Sequence, residues 1–493
     1  MPLVGSVPRK EKDTSMSNVV TLGIGMSLCL IGVKVSSSFI VPILGNLGSI
    51  SMALLYFSNS FANFFVPPIL NWFKNERNTM FWASFEYGLY VLNYAYIIPS
   101  VNLVWSFVHG IFAAVIWSAE GIYLNANSTD KDRGKKSGIF WTLYMTGAAI
   151  GNVAVYFLLK FIGLEDSPNP SGWHGSASVM FIFLGLLSLV GAIPMYLLKP
   201  SPKEASRKFI HKVSPGILIK KMVNLVISPN MRGLLIPMFF VGFEYVFIGS
   251  MLTRQVHQTG DVGLMMSLFC IIEVIISTPL GVLIDRLGNR TMMTSATLLE
   301  LAALLSFWYA NKMQNGLFYL SFVFLSLSDS IYETIIPTII GSNYADVESA
   351  NACFRLFQYM GGCICYLLAP VYVDGTTKWV SDSSLFSELM LCGVLCVFCV
   401  VSYILYERTF KREVVSEGIK NENGNGNEIE KDKTKGNAEM DMTKKDIEMI
   451  NGGNEHLDDI SRDVIKKDNE VHVEIEMKEK EKSEFTSNED YVH

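Results

Sequence analysis

Twelve runs of about twenty mainly apolar residues fill most of this chain and leave it few ways to fold. They cover residues 18–38, 49–73, 79–99, 103–124, 138–162 and 177–198, then 234–253, 263–284, 291–310, 317–340, 352–373 and 385–406. A run of that length crosses roughly 30 Å of hydrocarbon as a helix, and lipid offers no partner to an unpaired backbone N–H or C=O. The ten-residue alternating strands of a membrane barrel do not occur in it. Each run is therefore expected to be a transmembrane helix, which makes the chain an all-α membrane protein of twelve spans with the lipid bilayer as its main neighbour.

The formal charge of −6 hides two regions of opposite sign. Residues 407–493 hold 15 Lys or Arg and 24 Asp or Glu, a net −9, whereas residues 1–406 carry +3. An acidic tail on a mildly basic membrane body gives no reason to expect a nucleic-acid partner. The tail has few aromatics and an Asn and Gly repeat from Asn421 to Asn427, so it is expected to be disordered and to lie in the cytoplasm. The first eighteen residues are polar, so residues 1–17 read as a cytoplasmic N-terminus and the first span as its own insertion signal.

Orientation follows from the basic residues between spans. Alternate connections carry Lys74 and Arg77; Lys131, Arg133, Lys135 and Lys136; seven Lys or Arg between Lys199 and Lys221; then Arg286 and Arg290. The other connections offer Arg254, Lys312 and Lys378. The positive-inside rule places the first set, and both termini, in the cytoplasm.

The longest connection, residues 199–233, divides the runs six and six. At a constant offset of 214 positions Asn71 matches Asp285, Asn75 matches Asn289, Glu86 matches Glu300, Phe140 matches Phe354, Gly147 matches Gly361 and Ile150 matches Ile364. The chain thus reads as two six-helix bundles, 18–198 and 234–406. This two-bundle plan resembles that of the major facilitators, whose halves rock about a midplane cavity.

The sharpest short motif is Gly281-Val282-Leu283-Ile284-Asp285-Arg286-Leu287-Gly288-Asn289-Arg290, between the eighth and ninth runs. It resembles the G-x-L-x-D-R-x-G-x-R loop of major facilitators. Glycine there permits close helix approach, and Asp285 at a helix end can face a neighbouring N-terminus or basic group and latch an inner gate. Asp285 is expected near Lys135 to Gly138. The first-half counterpart has Asn71 for the Asp and Lys74 for the second Gly, so a latch would be one-sided.

Three further stretches, Trp117 to Leu124, Gly138 to Trp141 and Gly151-Asn152, resemble the fourth and fifth spans of the Unc-ninety-three family, the ion-channel-regulatory branch of the major facilitators. Ser328-Asp329-Ser330-Ile331-Tyr332-Glu333-Thr334 resembles that family's Gly-Asp-x-x-x-Asn-Thr-Gln stretch. The resemblance implies a regulator or accessory subunit of another membrane protein, such as a potassium channel subunit or a trafficked receptor. Glu120 replaces the family's usual Gln, Ser328 its Gly, Glu333 its Asn and Ile335 its Gln, which implies a divergent member with its own partner or ligand.

An ionisable group at the bilayer centre costs at least roughly 2.5 kcal/mol, so each calls for a reason. In a major facilitator the first, fourth, seventh and tenth spans line the cavity, and here they carry Lys34, Glu120, Glu244, and Asp329 with Glu333. Asp329 and Glu333 share a helix face, so one stays protonated or a cation sits between them. A cavity site for a solute or proton is one reading, and pairing with a neighbouring helix or placement near the headgroups is the other. Glu86 and Glu300, in peripheral spans, read as structural pairs within each bundle, and Gly147-Ala148-Ala149-Ile150-Gly151 as a face for close packing.

Enzymatic motifs are missing: no Walker loop, dinucleotide fingerprint or His-Glu-x-x-His, and seven scattered histidines. The eight cysteines all fall in apolar runs and read as packing residues, so neither metal nor cofactor is expected. Two functions remain: the regulator that the resemblance implies, and a secondary transporter of a small solute, proton-coupled through the carboxylates.

Overall fold

The computed structural model describes residues 15–129, 132–162, 172–173, 175–201, 215–255, 261–313, 317–344, 346–369 and 382–424. Most of the expected N-terminal segment, the tail beyond 424 and residues 202–214 of the 199–233 connection lie outside the described residues. The chain divides into two units, 1–411 and 412–493, and the following concerns the first unless stated.

The described chain is almost wholly helical. In order come α1 (Ser15–Leu44), α2 (Asn46–Ala62), α3 (Val66–Trp72), α4 (Glu76–Asn93), α5 (Pro99–Ala126), α6 (Arg133–Ile162) and α7 (Ser176–Tyr196). They are followed by α8 (Pro215–Ile227), α9 (Pro229–Val246), α10 (Asp261–Leu287), α11 (Asn289–Met313), α12 (Leu317–Asn343), α13 (Val347–Leu368) and α14 (Asp382–Gly424). A 3₁₀ turn, Asn63–Phe65, joins α2 to α3, and α9 runs on into a π-helical stretch, Phe247–Leu252. Among the described residues, β1 (Tyr96–Ile97) and β2 (Gly172–Trp173) form a two-residue antiparallel ladder.

Eight of the described helices are long and apolar enough to cross a membrane: α1, α5, α6, α7, α9 with its π-helical extension, α11, α12 and α14. Large apolar side chains such as Phe161, Ile150, Leu305 and Phe398 stand exposed around them. A soluble protein does not tolerate that much exposed apolar surface, whereas lipid is its natural solvent. The chain is an integral membrane protein.

Local chemistry sets where helices begin and turn. Asn75 caps α4 by accepting the N–H of Asn78 at 2.8 Å, and Ser228 caps α9 with Pro229 at the first helical position. Asp346 caps α13 by accepting from Ser349, and those bonds, with Lys221 at 3.1 Å, hold its carboxyl below the usual range. The turn from α10 to α11 passes through Gly288 at φ +79°, a left-handed conformation that glycine adopts freely. Its repeat counterpart, Lys74, keeps the same conformation at φ +72° although it carries a side chain. The turn keeps its form at a residue that is not glycine.

Helix contacts repeat in the same way. Glycines of α6 let it approach α1 closely, since a Cβ at Gly151 would lie 2.6 Å from Ile31. Gly361 of α13, the repeat counterpart of Gly147 on α6, meets the backbone of Phe239 and Phe243 on α9. Besides these pairs, α1 packs on α7, α4 on α5 and α7, α2 on α5, and α12 on α10 and α11. Between the earlier and later helices, α6 lies along α10 and α2 along α13.

Buried polar groups are mostly matched. Glu86 and Nδ1 of His109 lie 2.9 Å apart, with the His ring stacked on Tyr90 at 3.8 Å. Nζ of Lys136, almost fully buried, donates to Asp132 at 2.6 Å, to the Asn127 carbonyl at 2.7 Å and to Ser15 at 2.9 Å. It thereby ties the start of α6 to the end of α5 and the start of α1. The Lys136 ammonium and the Thr129 N–H and hydroxyl hold the Asp132 carboxyl well below the usual range.

All eight cysteines are free and buried. The helix α14 continues past Glu407, where the tail was expected to begin, as far as Gly424. Glu407 stands four residues before Lys411, a spacing and order that favour continued helix.

Candidate functional site

Five helices, α1, α5, α10, α12 and α13, bring charge to one enclosed place. Nζ of Lys34, from the middle of α1, lies 3.8 Å from Oε2 of Glu273 on α10, and both side chains are about nine-tenths buried. At that distance the two attract without forming a hydrogen bond. The ammonium also sits 5.4 Å from the ring centre of Tyr144 and 5.7 Å from that of Tyr245, a cation–π cradle built from α6 and α9. Tyr144 is in turn packed against Trp117 and Trp141.

On α12, Asp329 and Glu333 extend the cluster. Asp329 is buried within electrostatic reach of Glu273, Glu333 and Lys34, and its Oδ1 has no hydrogen-bond partner among the described residues. Glu333 accepts from Nε2 of Gln358 at 2.6 Å, and Gln358 accepts from Nη1 of Arg355 at 2.7 Å, both on α13. Arg355 also acts electrostatically on Glu120, buried on α5. The result is a chain of polar contacts from α1 and α10 through α12 and α13 towards α5.

Two cations, Lys34 and Arg355, face four carboxyls, Glu120, Glu273, Asp329 and Glu333. With every group ionised the site would hold two uncompensated negative charges in a low-dielectric interior. Protons or a bound cation are the physical ways to remove them.

Of the residues singled out in the sequence, Lys34, Asp329 and Glu333 come together here, and Glu120 joins them through Arg355. Glu244 does not: it faces Glu300 of α11 across Ser328, inside the later helices. Glu273, Arg355 and Gln358 belong to the site and were not singled out. Glu273 carries the same signal as Lys34, an ionisable group within an apolar run, but stands in the eighth run, outside the four expected to line a cavity.

The stretch Gly281 to Arg290 occupies the end of α10 and the start of α11, and α10 packs along α6. Gly288 forms the turn, while Arg286 and Arg290 are exposed. A Cβ at Gly281 would meet nothing within 4 Å among the described residues, so close packing does not explain that glycine. The side chain of Asp285 lies outside what is described. Lys136, in the segment Asp285 was expected to approach, is already bound to Asp132, Asn127 and Ser15.

Residues 42–398 match the family model of the ion channel regulatory protein UNC-93. The chain belongs to the UNC-93 family. It is 25% identical over 414 residues to the UNC93-like protein MFSD11 of Xenopus tropicalis, covering 72% of this chain and 90% of that protein. It is 22% identical over 418 residues to unc-93 of Caenorhabditis elegans, whose name assigns it to potassium channel regulation, covering 73% of this chain and 58% of the other. Among solved structures it resembles the nucleoside transporter NupG, with a TM-score of 0.59 at 13% identity over 79% of this chain and 99% of that one. It also resembles a D-xylose-proton symporter, with a TM-score of 0.60 at 13% identity over 78% of this chain and 96% of that one. This UNC-93 chain therefore has the fold of major facilitator transporters, and the structural likeness speaks to fold alone.

Proposed function

We propose that this UNC-93 family member is a non-enzymatic regulator or accessory subunit of another membrane protein, with a potassium channel subunit as the expected type of partner. The observation that carries the reading is the family match over residues 42–398. The finer architecture belongs to the same proposal: twelve spans in two six-helix bundles, 18–198 and 234–406, joined by a cytoplasmic connection at 199–233. Residues 1–17 and 407–493 are read as cytoplasmic. The repeated turn at Lys74 and Gly288 and the paired contacts of α6 with α10 and α2 with α13 support it.

A second reading, a secondary transporter of a small solute coupled to protons, is favoured by one observation. The cluster of Lys34, Glu120, Glu273, Asp329, Glu333 and Arg355 joins helices of both proposed bundles, where rocking motion would act on it.

The readings separate on two variants, Glu333→Gln and Asp329→Asn. For a regulator, both are expected to leave co-purification of the partner unchanged. For a transporter, they abolish proton-dependent solute uptake into liposomes by a correctly folded protein. Uptake lost while partner binding persists would overturn the regulator reading.

A further inference from the structure

A second carboxyl pair borders the Lys34 cluster on the far side of Ser328. Oγ of Ser328 on α12 is 3.0 Å from Oε1 of Glu244 on α9 and 2.6 Å from Oε2 of Glu300 on α11, and it is 2.9 Å from the Leu325 carbonyl. Glu244, Glu300 and Ser328 are all fully buried. A hydroxyl has one proton to donate, and with both carboxyls ionised all three neighbours are acceptors. Ser328 can satisfy one of them, and at least one carboxylate oxygen would then face Oγ lone pair to lone pair. If one carboxyl carries a proton and donates it to Oγ, Ser328 can donate to the other, and the Leu325 carbonyl keeps its place in the helix ladder.

A separate observation points the same way. Oε2 of Glu244 and Oδ1 of Asp329 are buried acceptors without hydrogen-bond partners among the described residues, and Asp329 acts electrostatically on Glu244. The other groups facing the pair add no positive charge. Tyr332 reaches it from α12, and Cys392, Cys396 and Cys399 from α14, with Sγ of Cys392 at 3.7 Å from Glu300. Glu273 of α10 reaches it only through Asp329. Among the described residues neither glutamate has an ion-pair partner.

We propose that Glu244 and Glu300 hold one proton between them across Ser328, forming a proton-binding site within the lipid-embedded body and distinct from the Lys34 cluster. The site joins α9, α11 and α12 through hydrogen bonds and carries one negative charge in place of two, whether the protein regulates a partner or moves a solute. Two ionised glutamates in that enclosure would repel one another and push these helices apart.

The test is infrared spectroscopy of the full chain in lipid nanodiscs at neutral pH, reading the carbonyl absorption of protonated carboxylic acids. Glu300→Gln and Glu244→Gln each supply an amide N–H in place of the acid proton, so the remaining glutamate can ionise. Each variant is therefore expected to lose one carboxyl's worth of that absorption relative to the wild type. If Glu244→Gln does not fold, Glu300→Gln decides alone, and Ser328→Ala is expected to shift the band by removing the acceptor. The proposal is overturned if folded amide variants keep the full absorption. It is also overturned if the wild-type band appears only when sodium and potassium are withdrawn, which would make the occupant a bound cation.

Discussion

Replacing Gly242 with valine is expected to leave almost no folded protein in the membrane. A Cβ at Gly242 would lie 2.5 Å from the carbonyl carbon of Gln358 and 3.0 Å from its Cα, overlapping the carbonyl itself. These are backbone atoms, which cannot swing aside as a side chain can. A few degrees of rotation will not relieve the clash, because Gly361 on α13 is pressed just as closely on the backbone of Phe239 and Phe243. Overpacking a core typically costs about 1–3 kcal/mol, and here α9 and α13 must separate, so the upper end or more is expected. The damage extends to the charged cluster, because Gln358 is the residue that donates to Glu333. Detergent-solubilised yield and the thermal unfolding midpoint check this, with Gly242→Ala falling between wild type and valine. A valine variant as stable as wild type would show that the two helices do not meet at these glycines.

The second large effect concerns Lys34. Lys34→Met removes the only cation within ion-pair distance of Glu273 among the described residues and leaves that carboxylate buried. Removing one partner of a buried pair typically costs about 3–5 kcal/mol. The 3.8 Å separation puts the expected loss near the lower end, since no hydrogen bond joins the two charged groups. Adding Glu273→Gln removes the orphaned charge, so the double variant is expected to recover most of the lost stability. A thermal-melt double-mutant cycle measures the coupling directly. Additive single effects would mean that the two groups do not sense each other.

How much of this was legible in the sequence depends on which physical signal is asked for. The length of the apolar runs gave the helical, membrane-spanning character, because the bilayer imposes a length and forbids unpaired backbone. Lys34, Asp329 and Glu333 were legible as costly charges. The facing of Glu244 was not. From Gly233 to Phe243 α9 is apolar on every side, so hydrophobic periodicity does not say which side meets lipid, which meets the cavity and which meets Ser328. Arg355 and Gln358 stand on α13, outside the spans expected to line the cavity, and only the helix packing brings them to Glu333. The glycines that set the α9 to α13 contact were partly legible, since Gly361 appeared as the repeat partner of Gly147. The clash that makes Gly242 indispensable needs the three-dimensional register.

Whether this UNC-93 chain works by binding another membrane protein is tested most directly by crosslinking mass spectrometry of the full chain in its native membranes. The expected result is a stoichiometric membrane partner of the ion channel class, crosslinked to the outer helix surfaces. Crosslinks confined to this chain, together with solute accumulation by the purified protein alone in liposomes, would contradict it and favour the transporter.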